Sequence, residues 1–373
     1  MGTRRGNSEG SITKRSDGRW EARISLEGGK RRCFYGKTRQ EVARRLTEAL
    51  RDQDRGLPIV GDRQTVAEYV ATWLQMIRPT VAPSTVSKYD AQLRLHVLPL
   101  IGTVRLSKLT AQQVQIVYSK ALAKGLSTTS VRLIHTILHG ALKEALRLGL
   151  VPRNVADVVT SPRKRHHEMH VLTSEQTRRF LKAIHGQRYE ALFVLAVTTG
   201  MREGELLALR WRDVDLEARH LQVRATLKLE VGQFIIADTK TTHSRRKIAL
   251  TPQACDTLRR HRTELAEERL ALGPAWNDHD LVFPNTIGRP FDRRDLMKRN
   301  FLPLLRKAGL PAIRFHDLRH TAATLMLLKG VHPKIVSEML GHASIAITLD
   351  LYSHVMPDMQ REAVLAIASV LEG

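Results

Sequence analysis

The sequence predicts a multidomain α+β protein, with a small three-stranded sheet plus helix, a helical domain, and a mainly α domain with a small β-sheet. Three observations support this fold class. The chain has 373 residues, more than one ordinary domain of roughly 100–200 residues. Alternating apolar and polar residues cluster near residues 10–35 and 220–250, whereas apolar residues elsewhere recur at helical spacing. Hydrophobic residues form 42% of the chain, enough for packed cores.

Residues 1–60 predict a small basic domain. Strands are predicted at residues 10–15, 20–26 and 31–35, and turns are predicted at Asp17-Gly18 and Gly28-Gly29. Thr38 and Glu41 form a capping box for the helix that follows. This segment has 15 Lys and Arg against 8 Asp and Glu, a net charge of +7. Residues 56–63 form the predicted linker to the next domain.

Residues 64–160 predict an all-helical domain of four helices. Apolar residues begin at Val66, and helix starts are predicted at Pro83, Thr110 and Ser127. Residues 161–167 are a basic connector. Residues 170–373 predict the last domain, with a capped helix after Thr173, a β region at 220–250, and helices for most of the remainder.

The charge of the chain points to a polyanionic partner. The formal net charge is +23 and the pI is about 10.6, more than solubility needs. No apolar run of about 18 residues could span a bilayer, and the N-terminus is too polar for a signal peptide. Cys33 and Cys255 form no CxxC pair, which suits packing roles in a reducing cytoplasm. Nucleic acid is therefore the predicted partner, with no membrane.

Three motifs in the last domain carry the candidate chemistry. They are residues 199–206 (TGMREGEL), 316–320 (HDLRH) and 340–354 (LGHASIAITLDLYSH). Two arginines, several histidines and one tyrosine are suited to holding a phosphodiester while a phenol attacks it, since guanidinium groups match phosphate oxygens. The order and surroundings of these motifs closely resemble the tyrosine recombinases of the phage-integrase family.

The resemblance implies a role for each motif residue. Arg202 and Arg319 would hold the non-bridging oxygens of the scissile phosphate, and His342 would hydrogen-bond it. Tyr352 would be the nucleophile that forms a 3′-phosphotyrosyl link, and His316 matches the active-site histidine of the family. Each residue also has an ordinary reading: Arg202 could simply pair with Glu205 on its own helix, Arg319 could be a surface charge, and Tyr352 could be a half-buried aromatic residue.

Three further residues complete the predicted site. Lys240 matches the lysine segment of the family and would give a proton to the leaving 5′ oxygen, with Lys247 as the neighbouring alternative. Glu205 would orient the arginines, and His320 would support the site. His316 and His320 also have zinc-ligand spacing, but no third ligand accompanies them in the sequence. The resemblance implies an exchange that conserves bond energy, so neither metal nor ATP is expected, and no GxxxxGK[ST] loop is present.

The resemblance also implies the DNA partners. Residues 1–60 resemble the arm-type DNA-binding domain of integrases, residues 64–160 resemble the core-binding domain, and residues 170–373 resemble the catalytic domain. The candidate DNA contacts are Arg19, Arg23, Arg31, Arg32, Arg163, Lys164 and Arg165. The expected assembly is a homotetramer on double-stranded DNA with core and arm sites, in a bacterial cytoplasm, with host bending and directionality factors as possible partners.

Three other functions compete with this reading. A type IB topoisomerase or telomere resolvase uses similar chemistry, but the arm-like N-terminal domain argues against both. A non-catalytic DNA-binding regulator would account for the charge alone. A metal-dependent nuclease would need clustered carboxylates, and these motifs are basic. The apolar stripe Val364, Ile367, Val370 and Leu371 predicts a tail helix that docks on a neighbouring subunit or on its own domain.

Overall fold

The computed structural model describes residues 10–25, 31–54, 64–163, 170–230, 233–238, 245–352 and, in the tail, 364–365, 367–368 and 370–371. The chain divides into two compact units, residues 1–166 and 167–373. Helices dominate both units, and small antiparallel sheets accompany them, so the predicted α+β class is confirmed. Across the described residues, no helix is both long enough and apolar enough to cross a bilayer.

The first unit begins with a three-stranded antiparallel sheet covered by one helix. Its elements are β1 (Ser11–Lys14), β2 (Trp20–Ser25), β3 (Arg31–Gly36) and α1 (Arg39–Asp54). The strand order is β1-β2-β3, as a meander requires. Alternation in β2 places Ala22 and Ile24 on one face, where they are buried against Val42 and Leu46 of α1. The opposite face is left for polar and charged side chains.

The rest of the first unit is a helical bundle with its own core. Its α-helices are α2 (Val66–Ile77), α3 (Pro83–Gln92), α4 (Leu98–Ile101), α5 (Ala111–Ala123) and α6 (Thr128–Arg147). Thr110 and Gln113 form a capping box at the start of α5, and Ser127 caps α6 as predicted. Tyr69 on α2 donates from its hydroxyl to the Ala141 carbonyl on α6 at 2.6 Å, which ties these two helices together.

The second predicted helix of this bundle is not continuous. A π-helical segment, Leu93–Val97, separates α3 from α4, and the Leu98 N–H bonds to the Leu93 carbonyl five residues back. Pro99 accounts for the interruption because its ring crowds the carbonyl four residues earlier and offers no N–H. A second π-helical segment, Leu296–Phe301, precedes Pro303 in the other unit in the same way.

The second unit is mainly helical, with two small sheets. Its strands are β4 (Val214–Asp215), β5 (His220–Val223), β6 (Ala225–Glu230), β7 (Gln233–Asp238) and β8 (Arg246–Ala249). Its α-helices are α7 (Ser174–Ile184), α8 (Glu190–Thr199), α9 (Glu203–Leu206), α10 (Pro252–Leu272), α11 (Arg293–Asp295), α12 (Leu302–Lys307), α13 (Phe315–Leu328), α14 (Pro333–Leu340) and α15 (Ile345–Tyr352). Strands β4, β5 and β8 form one antiparallel sheet, and β6 and β7 form a hairpin.

Helix α8 is the centre of the second unit. It is apolar on all sides, and Leu192, Phe193 and Leu195 are fully buried. Helices α7, α10 and α13 pack against α8. The end of α8 therefore has a fixed position, and so does the start of the loop that follows it. The described tail residues are helical, but the side chains of Val364, Ile367, Val370 and Leu371 are 61–81% exposed. Whether this stripe docks on its own domain or on a neighbouring subunit stays a prediction.

Candidate active site

Gly200 ends helix α8 and is the first residue of the candidate site. Its φ of +64° lies in the left-handed region, which favours glycine. A Cβ atom at this position would lie 2.5 Å from Cδ2 of Leu340, so the backbone can approach α14 closely only without a side chain. The chain then turns into α9, and Arg202 is the residue that caps this short helix.

Arg202 joins two segments that are far apart in the sequence. Its backbone N–H and Nη1 donate to Oε2 and Oε1 of Glu205 at 3.0 and 2.8 Å, so the pairing considered from the sequence does occur. Its Nη2 also donates to the Gly341 carbonyl at 3.0 Å. The side chain remains 39% exposed, so the same guanidinium is still open to a ligand.

Arg319 lies on α13 and faces the same place. It is only 3% exposed, so the reading as a surface charge is wrong. Its Nη1 donates to the Gly200 carbonyl at 2.8 Å. Arg319 therefore depends on the turn that carries Arg202, while Arg202 depends on the turn that carries His342. The three motifs of the last domain meet at one site.

Arg246 is a site residue that sequence analysis missed. It lies on β8, is largely buried, and donates from Nη2 to Oε2 of Glu205 at 2.8 Å and from Nε to the Met339 carbonyl at 2.6 Å. Burial raises the pKa of the Glu205 carboxyl, but the hydrogen bond and charge of Arg246, followed by those of Arg202, outweigh it and lower the pKa. Glu205 is thus an ionised carboxylate shared by two arginines.

The alternation of strand β8 could have identified Arg246. Arg246 and Ile248 are two residues apart and turn to the inner face, and Ile248 is fully buried. Lys247 lies between them on the exposed face. The choice between Lys240 and Lys247 as the lysine of the site stays a prediction.

His342 follows the second left-handed glycine of the site. Gly341 has a φ of +66° and ends α14, and the His342 N–H donates to the Ser337 carbonyl at 3.0 Å. Nδ1 of His342 lies 2.8 Å from Oγ1 of Thr348. Desolvation, followed by the positive charges of Arg319 and Arg202, lowers the pKa of His342 to about 4. The imidazole is therefore neutral at pH 7.

His316 and His320 lie one turn apart on α13. Their rings meet edge to face, with centroids 4.9 Å apart. Desolvation lowers the pKa of His316, with a further contribution from Arg319, and it lowers the pKa of His320 to about 4. Within the described part of the chain, no group of three or more His, Cys, Asp or Glu side chains is placed to hold a metal ion. The zinc alternative gains no third ligand there.

Two predicted catalytic residues are only partly visible or not visible. Tyr352 is the last residue of α15, and its side chain lies outside the described atoms. Lys240 falls in residues 239–244, outside the described residues, between β7 and β8. Both assignments stay predictions. Helix α15 follows His342 after a short loop, so the backbone of Tyr352 belongs to the same site segment.

The candidate DNA contacts of the first unit are arginines on or beside the small sheet. Arg23 and Arg15 both make ion pairs with Glu21. The Glu21 carboxylate lies 3.0 Å from a guanidinium nitrogen of Arg23 and 3.8 Å from one of Arg15. Arg19 pairs with Asp17 at 3.0 Å. Arg15 was missed by sequence analysis, although it follows β1 directly.

The other candidate contacts differ in what can be described. Arg31 and Arg163 are exposed. The side chain of Arg32 lies outside the described atoms, and Lys164 and Arg165 fall outside the described residues. The role of all these residues in DNA binding stays a prediction.

Comparisons with known proteins identify the family. A model described as the phage integrase family matches residues 170–359, and one described as the N-terminal SAM-like domain of phage integrases matches residues 65–122. A tyrosine recombinase XerC-like protein of Caldanaerobacter subterraneus is 32% identical over 91% of this chain and 92% of its own. The chain belongs to the phage integrase family. It is a site-specific tyrosine recombinase, an enzyme of the type found in phages and mobile elements.

Solved structures of family members share the fold. A Tn1549 transposon integrase in complex with transposon right end DNA superposes with a TM-score of 0.70 at 22% identity, covering 82% of this chain and 100% of that one. A lambda integrase tetramer bound to a Holliday junction superposes with a TM-score of 0.57 at 18% identity, covering 89% and 95%. At these identities the likeness shows the fold of this recombinase and leaves its residue roles to its own geometry.

Proposed function

We propose that this recombinase cuts and rejoins DNA through attack of Tyr352 on the scissile phosphate. The observation that supports this most directly is the meeting of Arg202, Arg319 and His342, each held by a backbone carbonyl or a hydroxyl. Attack would form a 3′-phosphotyrosyl bond and release a 5′ hydroxyl. A 5′ hydroxyl from the partner duplex would then displace the tyrosine, so the number of phosphodiester bonds is conserved and no ATP is needed.

The two arginines would supply the main charge stabilisation. Charge develops on the non-bridging oxygens as the phenol attacks, and fixed guanidinium groups stabilise it without reorganising. Arg202 is partly exposed to solvent, whereas Arg319 is buried. Arg319 would therefore interact more strongly with the charge on the phosphate, because the effective dielectric constant is lower away from water. His342 is neutral and would donate a hydrogen bond instead of a charge.

Proton transfer would need two further groups. A free tyrosine has a pKa of about 10, so its proton must leave as the phosphate is attacked. His316 is partly exposed beside the arginines, and its lowered pKa keeps it neutral and able to accept a proton. Lys240, which precedes Arg246 by six residues in the sequence, would protonate the leaving 5′ oxygen.

A nicked suicide duplex containing the core site tests the proposed chemistry. We expect a covalent protein–DNA adduct on a denaturing gel, and we expect Tyr352→Phe to abolish the adduct while core-site binding persists. Arg319→Ala should slow single-turnover cleavage by at least about 10²-fold, the usual effect of losing one preorganised stabiliser. An adduct with Tyr352→Phe would refute the nucleophile. Cleavage that yields no adduct and stops in EDTA would favour a metal nuclease.

We further propose that three DNA-binding parts act together. Residues 1–60 would bind arm sites, residues 64–160 and 170–373 would each contact a core site, and four subunits would assemble on two duplexes. The polar face of the N-terminal sheet carries Arg15 and Arg23, which supports an arm-binding role. The lambda integrase tetramer on a Holliday junction supports four subunits as the assembly. Host bending and directionality factors would bind the same complex.

The exposed tail supports docking between subunits. Its apolar side chains Val364, Leu365, Ile367, Val370 and Leu371 have no cover in the described part of the chain, which suits burial against a neighbour in the tetramer. A chain that ends at Pro357 should therefore bind one core half-site normally but assemble synaptic complexes poorly in native gels. Normal synapsis by the shortened chain would place the tail outside the assembly.

A further inference from the structure

Within residues 345–350 of helix α15, one side chain is buried. In residues 345–350, every residue except Thr348 is exposed, including Ile345, Ile347 and Leu349. Thr348 is 0% exposed. A polar residue is thus the buried anchor of a mostly apolar helix, which is the reverse of the usual arrangement. This helix ends at Tyr352, so its anchor bears on the proposed nucleophile.

The single described hydrogen bond of Thr348 has a preferred direction. Threonines in helices commonly donate to the carbonyl four residues back, as Thr321 does to Asp317 at 2.8 Å. For Thr348, the one described partner is instead Nδ1 of His342 at 2.8 Å. If Nδ1 were the donor, the buried hydroxyl hydrogen would lack an acceptor among the described atoms. A buried donor without a partner is rarer than an acceptor with a spare lone pair, so the hydroxyl is the donor.

This direction fixes the chemical form of His342. A neutral imidazole carries one hydrogen, and an Nδ1 that accepts a hydrogen bond leaves that hydrogen on Nε2. Nε2–H is then available to donate to a phosphate oxygen. The opposite tautomer would present a lone pair to the phosphate and repel it. Its pKa of about 4 keeps His342 neutral across the physiological range, so the tautomer decides its function.

We propose that Thr348 is a positioning residue that holds His342 as the Nε2–H tautomer and couples this donor to the seating of helix α15. The proposal rests on the proposed role of His342 at the scissile phosphate. When α15 leaves its seat, the hydroxyl leaves with it, and His342 is free to change tautomer and rotate. A subunit with an undocked nucleophile helix therefore also loses one phosphate donor, which links the two requirements for cleavage through one hydroxyl group.

The state of His342 in the wild-type protein is the first test. Histidine labelled with ¹⁵N, with the His342 signals assigned by their loss in His342→Gln, gives distinct shifts for protonated and unprotonated ring nitrogens. We expect Nε2 protonated and Nδ1 unprotonated at pH 7. The Nδ1–H tautomer, or rapid exchange between the two, would overturn the proposal whatever the variants show.

Variants at Thr348 supply the second test, measured as single-turnover cleavage of the suicide duplex. Thr348→Val keeps the shape and removes the hydroxyl, and should slow cleavage about tenfold, as expected for one hydrogen bond, while core-site binding persists. Thr348→Ser keeps the hydroxyl and should stay within about threefold of wild type. Thr324→Val is the matched control, because Oγ1 of Thr324 is buried and makes no hydrogen bond to the described residues. It should cleave like the wild type.

A double substitution separates this inference from the proposed function. If Thr348 acts through His342, Thr348→Val should have no further effect in a His342→Gln background. Independent effects that multiply would refute the coupling while leaving the role of His342 intact. Wild-type cleavage by His342→Gln alone would instead refute the role of His342, and with it the proposal. Equal slowing by Thr348→Ser and Thr348→Val would show that packing of the methyl group, not the hydroxyl, is what matters.

Discussion

Replacing Arg246 with methionine should both destabilise the second unit and slow cleavage. Arg246 is 7% exposed and Glu205 is 3% exposed, so the carboxylate would lose a guanidinium that water cannot replace. Removing one partner of a buried ion pair costs about 3–5 kcal/mol. Arg202 still donates to Glu205, so we expect the lower end, about 3 kcal/mol. For a unit of this size, that loss lowers the melting temperature by roughly 6–12 °C.

The assay is thermal unfolding of the full chain without DNA, followed by suicide-duplex cleavage below the melting temperature. The control is Arg245→Met, because Arg245 makes an ion pair with Asp238 in which both side chains are well exposed, and such pairs contribute about 0–1 kcal/mol. Glu205→Gln combined with Arg246→Met should lose less than the sum of the single variants, by about 1–3 kcal/mol. Wild-type melting of Arg246→Met, or strict additivity, would refute the shared-carboxylate account.

Three further predictions concern pH, backbone and domain organisation. His320 and His342 have a pKa of about 4 in the folded protein and about 6.5 in the unfolded chain, so the unfolded chain takes up protons first as the pH falls. The free energy of unfolding should therefore be at its full value above pH 6.5 and fall on the order of 1–2 kcal/mol per histidine toward pH 5. The melting temperature of His320→Gln should depend less on pH in that window. Gly200→Ala should destabilise more than Gly186→Ala in thermal melts, because both have a positive φ but only Gly200 is crowded. A fragment from Gln64 onward should cleave core-site DNA yet fail in recombination assays that need arm sites, and wild-type recombination would refute an arm-binding role.

Local chemistry explains which parts of the fold could be predicted from sequence. A capping box such as Thr173 with Gln176 indicates where a helix begins, because its side chains hydrogen-bond backbone groups within the same turn. The apolar run of α8 and the alternation of β2 are similarly local signals. The π-helical segments could not be predicted, because a proline such as Pro99 or Pro303 indicates a helix end in the sequence, whereas the chain accommodates each proline by widening the preceding turn.

The same distinction between local and non-local signals applies to the residues of the site. Arg202, Arg319 and His342 could be found because each lies in a short motif. Alternation in β8 could have marked Arg246 as facing inward, but the partners of Arg246 and Thr348 could not be assigned, because they are 41 and 6 residues away and the contacts exist only after the chain has folded. The resemblance included Thr348 as part of a pattern, but a pattern does not say which atom of a neighbour a hydroxyl meets.

The carbonyl groups of the two glycine turns explain why the motifs have their form. Gly200 ends one helix and presents its carbonyl to Arg319, while Gly341 ends another and presents its carbonyl to Arg202. A left-handed residue is what allows the chain to stop a helix and turn its carbonyl sideways in one step. Each turn therefore holds an arginine that belongs to a different motif. The Gly200 turn holds Arg319 and the Gly341 turn holds Arg202, so both turns must form before the two arginines can bind one phosphate together.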